Sequence, residues 1–81
     1  MLRMEAHSKL PAERVAEKLK SFFGDGGLGL ELSEESPGCL TFQGGGGYVT
    51  ATLCTEKHKT RIDLVTQEWD YDVKKFVSEL S

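Results

Sequence analysis

Cys39, Cys54, His58 and His7 are residue types that hold zinc. Their spacing argues against such a site: the run is C-x14-C-x3-H, with no paired C-x2-C. Two free surface thiols are the simpler reading. Glu68, Asp70 and Asp72 could serve acid–base or divalent-metal chemistry, but acids at a helix start are already accounted for by the helix dipole. Gly44–Gly47 has the composition of a phosphate-cradling loop. Such loops present the anion to a helix N-terminus, whereas the residues after Gly47 read as a strand. GDGGLG at 24–29 fails the dinucleotide-loop test for the same reason. Neither histidine stands in a recognisable base–nucleophile arrangement. The sequence predicts a domain that is not an enzyme and carries no metal or cofactor.

Aromatic residues are the other candidates. Trp69 sits where the last strand enters the last helix, and Trp69 and Tyr71 bracket Asp70. Trp69 is read first as a core anchor. With Tyr48 and Phe76 it is also the candidate lining for a small apolar ligand held between a sheet and the C-terminal helix.

The whole chain limits these options. Its 81 residues are the length of one domain. A domain so short hides only about 60% of its unfolded surface. Its apolar side chains are therefore needed for the core, which weighs against a large internal cavity. Net charge is −3, and the ten Lys and Arg are interleaved with thirteen acids. That opposes nonspecific binding to nucleic acid or an anionic bilayer, which needs clustered basic residues. No stretch approaches the about 20 apolar residues of a membrane span, and MLRMEAHSKL lacks the apolar segment of a signal peptide. Together with two cysteines, this predicts reduced thiols and a cytoplasmic location.

The elements that position these residues follow from periodicity. Leu2, Met4 and Ala6 alternate with Arg3, Glu5 and His7, as in a half-buried strand. Pro11 is expected to open a helix as its first residue. Ala12, Val15, Ala16, Leu19, Phe22 and Phe23 form the apolar stripe of that helix, and Gly24 is expected to end it as a left-handed cap. Leu28, Leu30 and Leu32 predict a second strand, and SEESPG at 33–38 a turn. Leu40 and Phe42 mark a third strand, Val49, Ala51 and Leu53 a fourth, and Ile62 and Leu64 a fifth. The turns between them fall at 44–47 and 56–59. Asp70 is expected to N-cap a last helix with the stripe Val73, Phe76, Val77 and Leu80.

The turn lengths predict two registers. With 44–47 as a loop, Phe42 faces Val49 and Leu40 faces Ala51. With 56–59 as a loop, Leu53 faces Ile62 and Ala51 faces Leu64. Both place apolar residues opposite one another, and a one-residue slip would break the agreement. The order β-α-β-β-β-β-α is then an α+β two-layer sandwich. Its sheet has five antiparallel strands in the order 1-5-4-3-2, with two helices on one face. The open face would carry Glu31, Cys39, Thr41, Gln43, Thr50, Thr52, Cys54, Arg61 and Asp63. Cys39 lies opposite Thr52, so Cys54 is only its diagonal neighbour, a poor placement for a disulfide.

This layout resembles two families. LRMEAHSKL followed by PAERVAEKL, and RIDLVTQEWDYDVKKFVSEL at the end, are similar to the opening and closing of the START-like (SRPBCC, helix-grip) pattern. β-α-β4-α is also the layout of one TATA-box-binding-protein repeat. The START-like resemblance implies a small apolar ligand, yet only GDGG stands where ligand-binding members carry extra elements. The TATA-box-binding resemblance implies DNA on the open face, yet no phenylalanine is expected there and the chain has one repeat. No functional residue of either family carries over by position.

The expected role is a non-enzymatic binding module for a small apolar ligand. The alternative is protein interaction or homodimerisation through the open face, or through an edge strand at Leu28–Leu32. Nucleic-acid binding ranks lower on charge.

Overall fold

The computed structural model describes residues 1–80. The elements run β1 (Leu2–Ser8), α1 (Ala12–Phe23), β2 (Glu31–Ser36), β3 (Cys39–Gly44), β4 (Gly47–Glu56), β5 (Lys59–Gln67) and α2 (Asp70–Glu79). They form a five-stranded antiparallel sheet of order β1-β5-β4-β3-β2. Both hairpin registers follow the turn arithmetic: Phe42 opposes Val49, Leu40 opposes Ala51, Leu53 opposes Ile62 and Ala51 opposes Leu64.

The apolar stripes of both helices close over one sheet face. Val15, Leu19 and Phe23 of α1 and Val73 and Phe76 of α2 join Phe42, Val49, Ala51, Ile62 and Leu64 in one core, each at 4% exposure or less. Phe23 is central: its ring lies 4.9 Å from Phe22, 5.7 Å from Phe42 and 5.6 Å from Phe76. Burying each such ring contributes about 1.5–3 kcal/mol. Three hydroxyls enter this layer, each with a backbone partner, and Ser8 Oγ accepts from Leu10 N at 3.1 Å. Thr60 Oγ1 donates to Leu10 O at 2.8 Å, and Thr66 Oγ1 donates to Tyr48 O at 2.7 Å.

Four local expectations change. Pro11 precedes helix α1 rather than beginning it: its ψ is 156°, extended, and its carbonyl accepts from the amides of Arg14 and Val15. Gly24 is extended, with φ −92°, not left-handed. Its amide caps Lys20 O, and a Cβ there would stand 2.7 Å from that oxygen, so close approach favours glycine at this position.

The second strand lies later than the leucines suggest. Leu28 N donates to Phe22 O and Leu30 N to Phe23 O, so these amides complete the end of α1 instead of a sheet ladder. Glu34, Glu35 and Ser36 pair with β3 instead, across a two-residue turn at Pro37 and Gly38, where Gly38 has φ +83°. Finally, Asp70 is the first residue of α2 and Trp69 holds the cap position, with no side-chain cap bond. Asp70 and Asp72 still lie in the first turn, where they suit the dipole.

Candidate functional site

The uncovered face of the sheet collects the polar residues of alternate positions. β4 sends Tyr48, Thr50, Thr52, Cys54 and Glu56 to it, on the opposite side from Val49 and Ala51. β3 adds Cys39, Thr41 and Gln43, opposite Thr52, Thr50 and Tyr48. β5 adds Arg61, Asp63, Val65 and Gln67, and β1 adds Arg3, Glu5 and His7. Glu31 opposes Gln43 at the far edge. The hydroxyls of Thr41 and Thr50 meet at 3.3 Å in the middle of the face. Cys39 and Cys54 are both free, on adjacent strands but not opposite one another.

One end of this face is an ion network. Arg61 Nη1 donates to Glu56 Oε2 at 3.3 Å, and Arg61 Nε stands 3.4 Å from Asp63 Oδ2. His7 Nε2 lies 3.7 Å from both Glu5 and Glu56. Arg61 Nε is shielded from solvent without a hydrogen-bond partner among the described residues. Arg61 thus faces two carboxylates already, which leaves its charge largely spoken for. Among the described residues, no three His, Cys, Asp or Glu side chains gather to hold a metal ion.

The aromatic candidates are not brought together. Phe76 is 4% exposed, and its ring lies against Phe22 and Phe23. Tyr48, expected near the C-terminal helix, lies on the opposite face of the sheet, because β4 alternates and Val49 takes the core side. Trp69 clamps the tip of the β3–β4 hairpin: its indole Nε1–H donates to Gly44 O at 2.9 Å. This clamp explains most of the glycine run. Gly45 and Gly46 form the two-residue turn, with φ +61° and +83°. A Cβ on Gly45 would stand 2.7 Å from Trp69 Cζ2, and one on Gly47 2.0 Å from Gln67 O. The glycines serve close packing at the strand–helix corner.

Sequence periodicity puts Glu5 and His7 on the polar side of β1 but does not bring them beside Arg61, and it does not place Val65 or Glu56 on this face. Val65 breaks the alternation that marks β5, which runs on to Gln67. His7 and Glu5 reach Arg61 and Asp63 only through the β1–β5 pairing. No hairpin turn connects those two strands, so no loop length announces their register. Among the described residues no helix is long and apolar enough to cross a membrane. No protein-family model matches the chain, and neither does any curated protein.

Proposed function

We propose that this domain is a non-enzymatic protein-interaction module that docks a partner protein on its open sheet face. The observation that carries this reading is the contrast between the two faces. One is covered by both helices over the buried apolar core, and the other carries no helix across its strands among the described residues. Phe23, Phe42, Ile62, Leu64 and Val73, which lie between sheet and helices, are fully buried in one cluster, and this supports docking on the surface over an apolar ligand held inside.

The chemistry of the face favours a protein over a nucleic acid. Small hydroxyls and thiols, with Tyr48 and Val65, make a flat surface of mixed polarity. Its basic groups, Arg3 and Arg61, alternate with Glu5, Asp63 and Glu56 rather than clustering as phosphate contacts require. Free Cys39 and Cys54 fit a cytoplasmic setting.

Size-exclusion of extracts containing the tagged domain tests the reading. The domain is expected to elute in a complex larger than the purified protein. Thr50→Arg with Thr52→Arg is expected to return it to the free position. Lys74→Glu with Lys75→Glu, on the exposed side of α2, is expected to leave the complex intact. Release by the helix variants alone, or elution as the free domain throughout, would overturn it.

A further inference from the structure

The two edges of the sheet differ. β2 is an edge built against pairing: its register shifts between Leu32 and Glu34, Glu31, Glu34 and Glu35 line it, and Pro37 follows. β1 has neither a register shift nor a proline, and its charges, Arg3 and Glu5, are of opposite sign. Leu2 to Ser8 pair with β5 in an unbroken register, and the outer side of the strand faces no other strand.

We propose that β1 is a self-association edge, on which a second copy of this chain pairs antiparallel about Met4 to join the two sheets into one. The charges of β1 select this register. With Met4 opposite Met4, Arg3 of each copy stands opposite Glu5 of the other, on the open face. Leu2 then stands opposite Ala6 on the core face. A shift that centres the pairing on Glu5 sets two glutamates against each other, and one centred on Arg3 sets two arginines together. Opposite charges directly across an antiparallel pair are favourable and like charges are not. Leu2 and Met4 are only partly covered by the chain's own helices, so the pairing also shields apolar surface at the margin. The pairing uses the outer backbone edge of β1, and its charge pairs lie at the margin of the open face, two strands away from Thr50 and Thr52 on β4, so separate variants read the dimer and the face-docking role.

Charge exchange tests both the association and its register. Arg3 and Glu5 are exposed, so Arg3→Glu and Glu5→Arg should each keep the circular dichroism of the parent. Sedimentation equilibrium of the purified parent is expected to show a monomer–dimer equilibrium. Each single variant is expected to weaken it about tenfold or more, because both symmetry-related pairs become like-charged. An equimolar mixture of the two variants is expected to regain the dimer. In the mixed pair the two acids on the edge of one variant stand opposite the two bases on the edge of the other, so both charge pairs are restored. A parent that stays monomeric at millimolar concentration would overturn the proposal. So would single variants that dimerise like the parent, or a mixture of folded variants that stays monomeric.

Discussion

Replacing the glycines of the Gly44–Gly47 run by alanine one at a time separates backbone strain from close packing. At Gly46 only strain applies: φ is +83° and nothing lies within 4 Å of a Cβ. Holding an L-residue there costs about 1–2 kcal/mol. At Gly45 the same strain, at φ +61°, is joined by a Cβ 2.7 Å from the Trp69 ring. Overpacking of that kind adds about 1–3 kcal/mol. Gly47 carries no left-handed strain, but its Cβ would stand 2.0 Å from Gln67 O and 2.6 Å from Glu68 Cβ. Relief requires moving the end of β5 away from β4, so the cost belongs at or above the top of the overpacking range, about 3 kcal/mol. Gly44 meets chiefly the movable end of Leu30 and should be the mildest. Urea denaturation followed by circular dichroism reads the order directly. In a domain of this size each kcal/mol lowers Tm by about 4–8 °C. Equal costs at Gly46 and Gly47, or a neutral Gly47→Ala, would refute the packing assigned to this corner.

Thr66→Val keeps the shape of a buried side chain and removes its donation to Tyr48 O, so a loss of about 1–2 kcal/mol is expected. An unchanged denaturation midpoint would mean the carbonyl is served by the ladder alone. Phe76→Ala should cost about 3–5 kcal/mol in the same assay, because α2 seals the core with this ring. Trp69→Phe removes the bond to Gly44 O and should cost about 1 kcal/mol from that bond. Faster hydrogen exchange of the amides at the β3–β4 tip should accompany it.

Strand order and two registers were legible because three hairpins close locally, and two of the turn lengths left only one pairing that set apolar residues opposite each other. The bounds of the second strand were not legible. Leucines at 28, 30 and 32 have strand periodicity, yet two of their amides are taken by the end of α1. The acidic stretch at 33–36 looks like a turn because an exposed edge strand has little apolar residue to show. The open face was largely readable from alternation, including Cys39, Thr41, Thr50, Thr52, Cys54 and Arg61. Its ion network was not, since His7 and Glu56 come from strands far apart in sequence. The side taken by Tyr48 follows from parity and not from its aromatic character: it is one residue from Val49, so it must take the other side of β4.

Site-specific photo-crosslinking in cells tests an interaction role on the open face most directly. A photoreactive residue placed at Thr52 is expected to give a discrete protein adduct, lost when Thr50→Arg is added. The same residue at Lys74, on the helical side, is expected to give none. Adducts from Lys74 alone, or none from Thr52, would contradict a docking role for the open sheet face.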